Sequence, residues 1–217
     1  MRDNQPKHGQ MRKEQRRLAR RKAFRGGLPS ALIVCEGRET EPNYIDGLRD
    51  HLRVNAAAVR IEIGDSVTDP VGLVRKAQRR YKGDRDYDLV YVVCDGDSNR
   101  LAAARALAAR PLRNAAGDTT QVQIIASSPS IEFWFLLHFE YSARPFQNAA
   151  EAQQALRAHL PDYRKNDRDI FRKTAAGLDR ACQWALQLKA ELKATCSIAP
   201  DTDMPSLVDQ LRRMQRP

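Results

Sequence analysis

The first chemical signal in the sequence is a pair of aspartates. Asp88-Leu89-Val90-Tyr91-Val92-Val93-Cys94-Asp95-Gly96-Asp97 runs from a valine-rich apolar stretch into two carboxylates separated by one glycine. Such a stretch fits a strand covered on both faces, and it delivers Asp95 and Asp97 to the C-terminal edge where open α/β sheets bind ligands. Two carboxylates so spaced can turn toward one divalent cation, although Asp-Gly also serves as a plain turn. An earlier stretch is built alike. Ala31-Leu32-Ile33-Val34-Cys35 runs into Glu36-Gly37, so the order Val-Cys-acid-Gly occurs twice and supplies a second edge carboxylate. Glu41 follows in the first turn of an expected helix, and Glu132 in the first turn of another, where the helix dipole favours an anion. For Glu132 a site and a structural role weigh evenly.

Held together by acids of this kind, Mg²⁺ or Mn²⁺ can orient a phosphodiester, neutralise its charge and lower the pKa of an attacking water. Other machinery is missing from the sequence. There is no Gly-rich phosphate loop, nothing marks a histidine as base for a serine or cysteine nucleophile, and the four cysteines form no C-x-x-C pair. Asp-x-Asp also serves phosphatases and nucleotide-sugar transferases. The phosphatase motif belongs on the first strand of its sheet, whereas here the first strand ends in glutamate.

The elements that must position these acids alternate. Strands are expected at Ala31 to Cys35, Val59 to Ile63, Leu89 to Cys94 and Val122 to Ala126. Helices are expected after Thr40, which can cap the first, after Asp69-Pro70, and over Leu101 to Ala109. This β-α-β-α-β-α-β order requires a parallel sheet with helices on its faces. Ser127 to Phe139 leads from the fourth strand straight into an aromatic helix whose start is marked by serine before proline. Trp134, Phe135 and His138 are expected to pack the sheet. Further helices follow at Ala149 to Leu160, Thr174 to Thr195 and Ser206 to Met214.

Charge is unevenly distributed over the 217 residues, whose net value is +10. Residues 1–29 carry ten Lys/Arg against two acids, residues 30–150 fifteen against sixteen, and residues 151–217 twelve against nine. The basicity thus belongs to an arm with too few apolar residues to fold alone. Its Arg16, Arg17, Arg20, Arg21 and Lys22 suit the neutralisation of nucleic-acid phosphates, as does a second group, Arg164, Lys165, Arg172 and Lys173; a solvated face or a protein contact is the plain alternative. No apolar run approaches a membrane span, no secretory signal is present, and the cysteines suit a reducing compartment, so the expectation is a cytoplasmic protein without a membrane partner. The expected organisation is a basic arm (1–29), an α/β core (30–145) and a helical extension packed on it (146–217).

Glutamate on the first strand and Asp-x-Asp two strands later resembles the Toprim domain of topoisomerases, primases and related nucleases. More closely, Cys35-Glu36-Gly37 with Thr40-Glu41 and Tyr44, Asp95-Gly96-Asp97, and Ser128-Pro129 with Glu132, Trp134 and Leu136-Leu137-His138-Phe139 together resemble the RloB-like, or AbiLii-like, family. The resemblance implies a Toprim-like, Rossmann-like parallel sheet of about four strands with a helical C-terminal extension. It also implies Mg²⁺ or Mn²⁺ as cofactor, Glu36, Asp95 and Asp97 as catalytic and metal positions, and Glu41 and Glu132 as motif residues. A nuclease acting on DNA or RNA in anti-phage defence beside a separate ATPase is the function implied. A non-catalytic nucleic-acid-binding subunit, and a metal-dependent phosphotransferase or phosphohydrolase of small nucleotides, stay open beside it.

Overall fold

The computed structural model describes residues 29–65, 67–84, 87–113, 119–195 and 200–215. In chain order the strands are β1 (Ala31–Cys35), β2 (Val59–Ile63), β3 (Leu89–Asp95), β4 (Leu112–Arg113), β5 (Thr119–Thr120), β6 (Val122–Ser128) and β7 (Asp201–Thr202). The helices are α1 (Thr40–His51), α2 (Pro70–Asp84), α3 (Leu101–Ala108), α4 (Ile131–Leu136), α5 (Ala149–His159), α6 (Ile170–Thr174), α7 (Leu178–Thr195) and α8 (Met204–Arg213). One sheet has the order β2-β1-β3-β6-β7, and β4 pairs with β5 in a separate ribbon. The first four strands of the sheet are parallel and β7 runs antiparallel to β6.

Successive side chains of each strand point to opposite faces, and here both faces are covered. Ala31, Ile33, Cys35, Tyr91, Val93 and Ile125 join one apolar cluster with residues of α1 and of α4 to α8. Leu32, Val34, Val90, Val92, Cys94, Ile124 and Ala126 join a second with α2 and α3. That is why the strands read as unbroken apolar runs: all five residues of β1 are fully buried. Each such Val, Leu or Ile contributes about 1.5–3 kcal/mol on leaving water. Cys35, Cys94 and Cys182 are free and buried, small hydrophobes as expected. Among the described residues no helix is long and apolar enough to cross a membrane.

Four departures from the expected elements have local causes. Strand β6 continues through Ser128 and α4 starts only at Ile131, because a residue before proline is held in extended conformation. The hydroxyl of Thr40 does not cap α1 but donates to the carbonyl of Lys165. The expected helix Thr174 to Thr195 is broken: α6 ends at Thr174, a 3₁₀ turn spans Ala175–Gly177, and α7 begins at Leu178. Gly177 lies so close to His138 that a Cβ there would stand 2.1 Å from its carbonyl oxygen. Strand β7, read as loop, has only two residues and no pattern of its own. It pairs Thr202 with Ser127 and Asp201 with Ser128, and Ser127 Oγ lies 2.7 Å from Thr202 Oγ1.

Candidate functional site

From β1 the chain crosses to β2 on one side, and from β3 it crosses to β6 on the other. The C-terminal ends of β1 and β3 therefore part, and the crevice between them is where an open α/β sheet accepts a ligand. The register pairs Cys35 with Val93, and the Glu36 N–H extends the ladder to the Val93 carbonyl at 2.9 Å. Asp95, the last residue of β3, then donates its own N–H to Glu36 Oε2 at 3.1 Å. The two acids thus sit side by side on one edge. On its other side Asp95 Oδ1 accepts the N–H of Ile131, the first residue of α4, at 3.1 Å.

Glu41, in the first turn of α1, and Glu132, in the first turn of α4, are both buried beside them. Gly37 leaves room for the Glu41 carboxylate, since a Cβ there would stand 2.0 Å from Glu41 Oε2 and push that side chain aside. Glu132 is held by two hydroxyls: Ser130 Oγ donates to Oε2 at 2.6 Å and Tyr163 OH to Oε1 at 3.0 Å. Tyr163 belongs to the stretch between α5 and α6. This stretch is also tied by the Thr40 hydroxyl, and it brings Lys165 and Asn166 to the cleft.

The resulting cleft has a volume of about 560 Å³. Six acids line it, Glu36, Glu39, Glu41, Asp65, Asp95 and Glu132, against two cations, Arg38 and Lys165. The excess of negative charge is written into the titration of the buried members. Desolvation, then repulsion by Glu41, Glu36 and Glu132, pushes Asp95 up to about 8, against the pull of the Ile131 N–H. Burial raises Glu36 as well; the Asp95 N–H and Lys165 act in the opposite sense, and the charges of Asp97 and Asp69 add to the rise. Glu41 is raised by burial first, with Glu36 and Glu132 adding to it, although backbone N–H groups at Glu41 and Gly37 favour its charged form.

The remaining expected residues fall in other places. Asp97 is exposed beyond Gly96 and lies outside the cleft lining, felt by Glu36 only as a neighbouring charge. The Gly96 N–H donates to the Ser127 carbonyl at 2.8 Å, so the backbone at Gly96 is drawn toward β6 before Asp97 is reached. Of the second basic group only Lys165 reaches the cleft. Arg172 pairs with Asp169 at 3.1 Å, Lys173 with Asp167 at 2.6 Å, and Arg164 is exposed outside the lining. Arg16, Arg17, Arg20, Arg21 and Lys22 lie outside the described residues. Asp65 and Arg38 were not foreseen as parts of the site.

All the acidic donors facing the cleft are carboxylate oxygens, which fit a hard cation such as Mg²⁺ or Mn²⁺ in both chemistry and charge. A cation would have to draw these oxygens inward, since among the described residues no three His, Cys, Asp or Glu side chains already stand gathered as metal ligands.

Fold and cleft together define a Rossmann-like α/β protein with a mostly parallel sheet and an acidic crevice at its switch point. A family model described as RloB-like protein matches residues 31–211, from the first residue of β1 into α8, and the chain belongs to the RloB-like family. No curated protein and no solved structure matches it.

Proposed function

We propose that this RloB-like chain is a metal-dependent nuclease that hydrolyses phosphodiester bonds in DNA or RNA, with Toprim-like use of its acids, in anti-phage defence beside a separate ATPase. One observation carries the reading: four buried or half-buried carboxylates, Glu36, Glu41, Asp95 and Glu132, converge on one cleft at the switch point with too few cations to balance them. Natural chains bear such repulsion where a ligand relieves it.

Asp95 and Glu36 are the groups that would hold Mg²⁺ or Mn²⁺, with Glu41 behind them and Asp97 at the rim. The cation, when bound, would supply charge neutralisation at the phosphoryl group and a more acidic water. The chain's own groups do the rest. The Asp95 N–H fixes one oxygen of Glu36 where that residue lines the cleft. Without a cation Asp95 holds a proton near neutral pH, so its carboxylate is the group able to exchange that proton as charge in the cleft changes. Glu132, whose oxygens accept from Ser130 and Tyr163, anchors the stretch that carries Lys165. Lys165 is the cation placed to meet a phosphate that enters the cleft.

A panel of plasmid, single-stranded DNA, transfer RNA and free nucleotides, incubated with the full chain and Mg²⁺, Mn²⁺ or a chelator, tests the proposal. Cutting of a polynucleotide with either metal and none with chelator is expected. Turnover of free nucleotides alone would move the assignment to a small-molecule phosphohydrolase.

A further inference from the structure

Helix α2 carries Arg75, Lys76, Arg79, Arg80 and Lys82 against a single acid, Asp84, in a body that is otherwise nearly neutral. Its buried stripe is Val71, Leu73, Val74, Ala77 and Tyr81, so every one of these cations is turned outward or sideways. They form two rows. Lys76 and Arg80 face the end of β2 and are spent on ion pairs, Lys76 with Asp65 and Arg80 with Glu62 at 2.6 Å. With Arg79, Gly64 and Gly83 they wall a groove of about 420 Å³. Arg75, Arg79 and Lys82, spaced i, i+4 and i+7, lie within about 60° of one another on the helix and about 10 Å end to end. All three are exposed, and among the described residues none enters an ion pair.

This basic face adjoins the acidic cleft. Asp65 lines both the groove and the cleft, and Thr68, two residues before α2, lines the cleft as well. A polyanion approaching a cleft lined by six acids is repelled, so its affinity has to come from cations outside the cleft and next to it. Arg75, Arg79 and Lys82 in a row on one helix, with Arg79 on the groove that shares Asp65 with the cleft, meet that need.

We propose that the outer face of α2, through Arg75, Arg79 and Lys82, is a phosphate-backbone track that holds the nucleic-acid segment flanking the one in the cleft. The inference rests on the nuclease reading, and binding can be tested apart from cutting. Fluorescence anisotropy with labelled 20-nucleotide DNA and RNA of the same sequence, in chelator and across a salt series, compares the full chain with its Arg75→Ala/Arg79→Ala/Lys82→Ala variant. The expected result is at least a ten-fold loss of affinity, and a log–log salt slope shallower by about 2, from three lost contacts at about 0.7 each. The strand bound more tightly identifies DNA or RNA as the ligand. An Arg212→Ala/Arg213→Ala control, which removes cations already paired with Asp179 and Asp209, should leave both values unchanged. Hydrolysis of bis(p-nitrophenyl) phosphate, too small to reach the track, should be equal in wild type and triple variant. A wild type that binds and cuts, with a triple variant of unchanged affinity and slope, overturns the track and leaves the nuclease reading standing. A wild type that binds neither strand overturns the track, while the nuclease reading is judged separately by metal-dependent cutting of plasmid and transfer RNA. Single Arg79→Glu, a change at an exposed position, repeats the test if the triple variant is poorly expressed.

Discussion

Two clusters of buried polar groups lie at opposite ends of α4, and they have been resolved in opposite ways. Just beyond its C-terminal end His138 is locked in the aromatic core against Tyr44 and Trp134. Its Nδ1–H donates to the Thr174 carbonyl at 2.8 Å, its Nε2 accepts the Tyr44 hydroxyl at 3.1 Å, and burial holds the ring at about 4, neutral at physiological pH. At the other end Asp95 has one backbone donor and three carboxylates for neighbours, and is pushed up to about 8. Burial is common to both. What separates a structural node from a candidate site is whether the partners satisfy the buried group or leave it in conflict.

The sharpest break between the two clusters is expected in activity. Asp95→Asn keeps the shape of the site and removes its central charge, and should lower metal-dependent cleavage by roughly a thousand-fold or more with the fold intact. Glu36→Gln should behave alike. Tyr44→Phe, in the satisfied cluster, should leave cleavage within about two-fold. Equal losses from Asp95→Asn and Tyr44→Phe in a single-turnover assay would erase the distinction.

Much of this contrast was legible in the sequence, and the limits of legibility are local. The strands could be read because both faces of the sheet are covered, which makes apolar runs such as Ala31 to Cys35 unmistakable, and each run ended in its acid. The edge shared by Glu36 and Asp95 follows from parallel connections alone. Asp97 stands outside the lining of the cleft that Asp95 enters, beyond a hydrogen bond between Gly96 and Ser127 that no spacing rule announces. Tyr163 and Lys165 were legible only as an aromatic and a cation in a loop; that Tyr163 reaches Glu132, 31 positions away, and Lys165 the cleft depends on tertiary packing. Glu41 and Glu132 could be placed in the first turns of their helices, but the burial that brings both beside Asp95 was not legible from that position.

Stability against pH sharpens the comparison next. Asp95 titrates in the native state at about 8, above its ordinary 3.8, so the folded protein binds the extra proton and loses stability as pH rises toward 8. His138 titrates at about 4, below its ordinary 6.5, so stability is lost as pH falls from 6.5 toward 4. The two oppose each other below 6.5, and between 6.5 and 8 only the aspartate of this pair still titrates. Urea unfolding in chelator should show a decline of about 2 kcal/mol over that window. Asp95→Asn should be flat there.

A smaller effect is expected in the core. Tyr44→Phe leaves His138 Nε2 without its donor and should cost about 1–3 kcal/mol in urea unfolding, with the pH dependence above 6.5 unchanged. Smallest of all, Asp97→Asn should reduce cleavage by less than about ten-fold, as befits an exposed acid at the rim. A loss as large as that of Asp95→Asn would bring Asp97 into the centre of the site.

The central claim is that the acids at the ends of β1 and β3 are in conflict until a divalent cation replaces the proton on Asp95. Calorimetric titration of the metal-free protein with Mn²⁺ at pH 7, in buffers of different ionisation enthalpy, counts that proton directly. With Asp95 titrating at about 8, close to one proton should be released per cation bound, and Asp95→Asn should bind more weakly and release almost none. Binding without proton release, or the same release from Asp95→Asn, would contradict the claim.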